Sequence, residues 1–355
     1  MTAGSGREAA VAETTALIVG LHGPDLTEPE RQFLRAARPA GIILFARNIV
    51  SHDQIRRLIG DARAAIGGDD ALVLIDQEGG RVQRLRPPLG RALPPARALA
   101  NLRLREPDRA REAAFLIARL LADDLRALGI DTDCAPVADR PVEGAHEIIG
   151  DRAYGTTVDG IADLAGAAAD GFMEGGVVPV VKHVPGHGRA TADSHLALPR
   201  VDTPRAELEE TDFAPFRRLR HLPAAMTAHV VFSAIDAENP ASTSAVVTSE
   251  VIRGSIGFDG LLMSDDLGMR ALAGPMRARA EAVIAAGSDV ALHCSGELDE
   301  MVQAAVGAGA IAPQAAARLA AAGSVRHQAV PYDRERAEAV LAAVLAEHAA
   351  SAESV

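Results

Sequence analysis

The stretch KHVPGHGRATADSH (182–195) gathers Lys182, three of the chain's eleven histidines and Asp193 into fourteen residues. Imidazole at this density ligates a metal, performs acid–base chemistry, or decorates a polar loop. His183 and His187 have the i, i+4 spacing of a helical metal pair, but Pro185, Gly186 and Gly188 make a helix there improbable. The zinc reading thereby loses its geometric support. Asp193 and His195 lie two apart, and in extended backbone residues i and i+2 point the same way. A carboxylate beside an imidazole fixes its tautomer and favours its charged form, which makes a general acid–base dyad. The alternative is a solvated surface histidine.

Three other stretches carry chemistry. In DQEGGRVQR (76–84), Asp76 and Glu78 flank Gln77, and two glycines turn the backbone before Arg81 and Arg84. Asp76 there either binds sugar hydroxyls or a cation, or closes a salt bridge to an arginine. In GDRAYG (150–155), Arg152 either reaches a ligand or pairs with a neighbouring carboxylate such as Asp151. In LLMSDDLGM (261–269), Asp265 and Asp266 follow an apolar run. Neighbours on a strand alternate, so one should face a pocket and the other the wall or the cap of the next helix. An Asp at a mouth that also holds Lys, Arg and a His/Asp pair reads as a nucleophile.

These residues need a scaffold that brings them together. Eight short apolar runs bounded by turn signals recur: 16–21, 41–46, 71–76, 130–139, 177–183, 224–232, 260–266 and 288–294. Several are Val/Ile-rich and apolar on both faces, as covered parallel strands are. Helical periodicity lies between them, at 51–67 with Ser51 as N-cap, at 108–129 ending at Gly129, at 159–176 and at 277–287. The pattern predicts an α/β fold, a single-domain (β/α)8 TIM-type barrel over residues 1–355. Its core is expected at about 14–325, with an outer C-terminal helix at about 332–349. The first turn, GLHGPDLTE, lacks the G-x-G-x-x-G of a dinucleotide-binding fold. Barrel catalytic groups sit where strands end, and there the polar stretches fall.

Composition narrows the function further. The 355 residues hold 36 basic and 48 acidic side chains, a net charge of −12, which repels polyphosphate and argues against nucleic acid. With no Trp and two Tyr, the composition argues against base stacking or wide aromatic sugar platforms. Cys134 and Cys294 stand in separate apolar segments with no CxxC pair, which fits a reducing compartment. No signal peptide or membrane span is visible, and the chain is expected to be cytoplasmic and monomeric, with no membrane partner, no cofactor and no metal.

KHVPGHG with DSH, DQEGGRVQR, GDRAYG and MSDDLGM, in strand-end order, resemble bacterial β-N-acetylhexosaminidases of glycoside hydrolase family 3. The closest likeness is to the single-barrel cytoplasmic enzymes of peptidoglycan recycling, and it covers about Leu17 to Cys294. The resemblance implies Asp265 as nucleophile, His195 as acid/base and Asp193 as its partner. It also implies Asp76, Arg84, Arg152, Lys182 and His183 as contacts to N-acetylglucosamine β-linked to anhydro-N-acetylmuramic acid, in a glycan or muropeptide. Val184 stands where the family commonly has Phe, a packing position. The DSH loop supplies an acid/base group within the barrel, where related β-glucosidases use a second domain, and it is expected to swing in when sugar binds. Two rival readings stand beside this one: a metal-dependent barrel hydrolase using His183, His187, His195 and Asp265, and a non-catalytic sugar sensor.

Overall fold

The computed structural model describes residues 13–194, 196–327 and 329–352. The eight apolar runs form the staves of a closed barrel: β1 (Thr15–Gly20), β2 (Pro39–Leu44), β3 (Leu72–Ile75), β4 (Thr132–Asp133), β5 (Val178–Val184), β6 (Ala224–Thr227), β7 (Leu261–Asp266) and β8 (Val290–His293). Each pairs in parallel with its sequence neighbours, and β1 closes on β8 through Leu17 opposite Ala291. The fold is a (β/α)8 barrel.

The side-chain period of two sorts each strand. Ile18, Ile43, Leu72, Leu74, Val180, Met226, Met263 and Leu292 fill the barrel interior. Their neighbours Leu17, Val19, Ile42, Leu44, Val73 and Ile75 face outward against helices. That is why the strands read as continuous apolar runs.

The expected helices are present at His52–Ile66, Pro107–Arg126, Val158–Glu174 and Met276–Ala285, with a last helix at Arg334–Ala352. Ser51 caps the first, its Oγ accepting from Gln54 N, a contact worth about 1 kcal/mol. The helix from Pro107 stops at Arg126, three residues before Gly129, whose φ of 89° carries the turn into β4. The apolar run 130–139 is longer than its strand. After the cis Ala135–Pro136 bond the chain follows β5 irregularly, with Lys182 N donating to Pro136 O and Ala138 N to Lys182 O. The run 224–232 likewise divides: beyond Thr227, Val231–Phe232 leaves the barrel to pair with Arg200–Val201. Among the described residues, no helix is long and apolar enough to cross a membrane.

Candidate active site

The inward parity of the strands runs on into their C-terminal ends. Two residues beyond Ile43, Leu74, Val180, Met263 and Leu292 stand Phe45, Asp76, Lys182, Asp265 and Cys294, and all five line one cavity of about 260 Å³. Ligand pockets commonly run from about 300 to 1,000 Å³, so this one suits a single small ligand. Arg84, Arg152 and His183 line it too, as do Glu78, Arg81, His187, Ser194 and Asp266.

A charge network forms one wall. Lys182 Nζ, buried, lies 2.9 Å from Asp76 Oδ1 and 2.6 Å from Glu78 Oε1. Arg84 Nη2 donates to Asp76 Oδ2 at 2.9 Å. Arg152 grips Glu78 through Nε and Nη2, both at 2.8 Å. Burial alone would raise both carboxyls, but Lys182 and Arg84 hold Asp76 well below the ordinary range, and Arg152 with Lys182 holds Glu78 at about 2. The same anions overcome the desolvation of Lys182 and keep it charged. Beneath them Asp133, fully buried, accepts Gln77 N at 3.0 Å, and burial raises its carboxyl to about 8.

The glycine turn that follows β3 builds this wall. Gln77–Gly79 pairs with Val82–Gln83 as a small antiparallel ribbon. Gly79 has φ 105°, and a Cβ there would stand 2.4 Å from Pro94 O. Arg152 does not pair with Asp151. Arg81 takes that carboxylate at 2.7 Å and also donates to the carbonyls of Glu147, Ile148 and Ile149, so it fixes the loop that presents Arg152.

The opposite wall is made of imidazole and carboxylate. The Lys182–His183 peptide is cis, and both side chains line the cavity. His183 Nδ1 lies 2.6 Å from Asp139 Oδ2, while His187 N donates to Asp139 Oδ1 at 2.6 Å. Burial would raise Asp139, yet the neighbouring His183 holds it below its ordinary value. His187 is driven down to about 4, first by burial and then by the neighbouring His183, so it is neutral near pH 7. Its Nε2 meets Ser194 Oγ at 3.1 Å.

Asp265 stands half-buried at the mouth, its Oδ1 accepting Asp266 N at 2.8 Å. Burial favours its neutral form, but His183 and then His229 outweigh that and keep it ionised. Asp266 was expected to face away. It caps a turn and not the next helix, accepting Gly268 N and Cys294 N on Oδ1, and it also borders the cavity. His229 Nε2 donates to Asp266 O at 3.0 Å, with Ser242 Oγ on its Nδ1 at 2.7 Å.

The cavity therefore holds Asp76, Arg84, Arg152, Lys182, His183 and Asp265 together. Asp193 sits on the adjoining loop outside the lining, its carbonyl accepting Leu196 N and Ala197 N. His195 lies outside the described residues. Sequence reasoning overlooked Glu78, Asp139 and His229 as site residues. Glu78 carried a signal, since it is two residues from Asp76 and shares its face. Asp139 and His229 carried none, because their strands turn irregular before reaching them.

The cavity thus sets a wall of paired charges beside the half-buried carboxylate of Asp265. Residues 14–327 fit the glycosyl hydrolase family 3 N terminal domain. The chain belongs to glycosyl hydrolase family 3. A β-hexosaminidase of Alkalilimnicola ehrlichii is 43% identical over 283 residues, 79% of this chain and 80% of its own length. One of Bordetella avium is 39% identical over equal shares of both chains, 79% and 80%. The crystal structure of native NagZ from Neisseria gonorrhoeae superposes with a TM-score of 0.83 at 32% identity, covering 94% of this chain and 98% of that one. NagZ has also been solved in complex with N-trifluoroacetyl-D-glucosamine. The family 3 chain is thus a glycoside hydrolase of the β-hexosaminidase class.

Proposed function

We propose that the protein is a retaining exo-β-N-acetylglucosaminidase that works through a glycosyl-enzyme on Asp265. The observation that carries this reading is the position of Asp265, an ionised carboxylate at the cavity mouth facing a wall of donors and acceptors. Asp76, Arg84, Arg152, Lys182 and His183 hold the non-reducing sugar. Asp265 attacks the anomeric carbon while His195 protonates the departing oxygen. His195, then neutral, takes a proton from the water that releases the sugar. Asp193 orients His195 and raises its basicity.

The substrate is N-acetylglucosamine β-1,4-linked to anhydro-N-acetylmuramic acid, turned over in cell-wall recycling by a cytoplasmic monomer. Likeness to NagZ, which binds an N-acylated glucosamine, supports the sugar. Two free cysteines, Cys134 buried, agree with a reducing compartment. The metal-hydrolase reading has less support. His183 is engaged by Asp139 and His187 by Ser194, and among the described residues no three His, Cys, Asp or Glu side chains are grouped to hold an ion.

The test is hydrolysis of 4-nitrophenyl N-acetyl-β-glucosaminide with and without chelator, the anomer of the first product being read by NMR. Release of the β-anomer, indifferent to chelator, is the expected result. Release of the α-anomer removes the glycosyl-enzyme, loss of turnover in chelator revives the metal reading, and binding without turnover leaves a sensor.

A further inference from the structure

The loop that carries the Asp193–His195 pair has little to hold it. Among its described residues between Ala190 and Pro199, Ser194 alone is buried, at 2% exposure, while Leu196 is 66% and Leu198 40% exposed. Ser194 is tied at both of its polar ends. Its Oγ meets His187 Nε2 at 3.1 Å, and its carbonyl accepts Ala271 N at 3.2 Å. Ala271 belongs to the turn that follows Asp265 and Asp266. His187 is fastened in turn by Asp139, which accepts His187 N and also engages His183 Nδ1.

A continuous hydrogen-bonded path thus runs from the imidazole on the cavity wall through Asp139 and His187 to Ser194. Ser194 is the residue before His195 and the residue after Asp193. Among the described residues, His187 Nδ1 is buried with no hydrogen-bond partner. An orphaned donor costs more than an orphaned acceptor, which places the ring proton on Nε2, donating to Ser194 Oγ. The ring is neutral near pH 7, so this is a single, directed hydrogen bond.

We infer that Ser194, held by His187 and by the turn after Asp265, is the positioning residue that sets the acid/base pair relative to the nucleophile. The inference rests on the glycosidase mechanism proposed above. Ser194 touches no reacting atom in this scheme; it anchors the chain at the one residue between Asp193 and His195 in sequence. Its loss should therefore fall on the steps that need proton transfer and spare those that do not.

The experiment compares the full-length protein with Ser194→Ala, Ser194→Thr and His187→Phe. Aryl N-acetyl-β-glucosaminides are used, with leaving groups from 2,4-dinitrophenol to 4-methylphenol. Expulsion of 2,4-dinitrophenolate needs no proton, whereas expulsion of 4-methylphenol does. In Ser194→Ala the kcat/KM for the poor leaving group should fall by about 10²-fold, the lower end of the general-acid contribution, with a much smaller fall for the activated one. Release of the glycosyl-enzyme also slows, because water must be deprotonated. Azide should restore that step: it attacks the anomeric carbon, the bond to the Asp265 carboxylate breaks, and glycosyl azide forms without any base. Ser194→Thr, which keeps the hydroxyl, should retain the wild-type leaving-group dependence.

A uniform loss across the series in Ser194→Ala, or no loss, overturns the inference. If that variant does not fold, His187→Phe keeps the ring volume, removes the same contact from the other side and is read in the same way. Wild-type protein inert on every member of the series would sink the glycosidase reading itself. An active wild type whose leaving-group dependence is unchanged in the variants sinks only the role of Ser194.

Discussion

Arg152 and Glu78 meet through two parallel hydrogen bonds, Nε to Oε2 and Nη2 to Oε1, each 2.8 Å long. Both side chains are nearly closed off from solvent, at 10% and 7% exposure. Glu78 also receives Lys182 Nζ, so one carboxylate orients two cations on the cavity wall. Glu78→Gln keeps the shape and removes the charge. A hydrogen bond to a charged group contributes about 1.5–3 kcal/mol, so KM should rise by about ten-fold or more and the melting temperature should fall. Steady-state kinetics with a thermal melt check this, and unchanged KM would show that the pair is a scaffold only.

The two adjacent aspartates should separate cleanly. Among the described residues, the Asp265 carboxylate accepts from the backbone only at Asp266 N, whereas Asp266 caps Gly268 N and Cys294 N. Asp265→Asn should lower kcat by at least about 10³-fold while N-acetylglucosamine still binds by calorimetry. Asp266→Asn should chiefly lower stability. If Asp266→Asn gave the larger kcat loss with an intact melt, the nucleophile would be misassigned.

Much of this site is legible in the sequence alone. Asp76, Lys182 and Asp265 stand two residues beyond the core positions Leu74, Val180 and Met263, so a period of two carries them to the mouth. Asp139 was hidden because its strand stops at Asp133 and the chain then bends at Pro136. His229 was hidden for the same reason, beyond the last paired residue of β6. Arg152 was visible as a loop arginine, but its partner was not, since Glu78 is 74 residues away. Local pattern cannot rank Asp151 against a carboxylate brought in by the barrel.

Asp133 should give the protein a stability that declines with pH. Burial raises its carboxyl from 3.8 to about 8 in the folded chain, so the folded state keeps a proton that the unfolded state has lost. Between these values the unfolded state binds fewer protons, and unfolding free energy falls by up to about 1.4 kcal/mol per pH unit. Asp76 and Glu78, both held low, contribute stability that is lost only on acidification below about pH 4, so their window does not overlap. Asp133→Asn keeps the acceptor for Gln77 N and removes the titration. Urea melts at pH 5, 6, 7 and 8 should show a flatter profile in the variant, and parallel profiles would refute the assignment.

Asp139 should decide which nitrogen of His183 carries the ring proton. Its Oδ2 takes His183 Nδ1 at 2.6 Å, so the proton sits on Nδ1 and Nε2 remains for the cavity. In Asp139→Asn, the amide oxygen must stay on Oδ1's side, because His187 N can only donate there. The amide nitrogen then faces His183 Nδ1, which has to become an acceptor. The ring proton moves to Nε2, and a nitrogen that accepted from a sugar hydroxyl now donates toward it. In a serine protease triad the same substitution leaves the geometry intact and lowers kcat by about 10⁴-fold through the wrong tautomer. Here His183 holds substrate and transfers no proton, so the expected loss is smaller and lies mainly in KM, about ten- to a hundred-fold, with a nearly unchanged melt. Nitrogen-15 NMR of the imidazole reports the tautomer directly. A switched tautomer with unchanged KM would remove His183 from the sugar contacts, and an unswitched tautomer would remove Asp139 from its control.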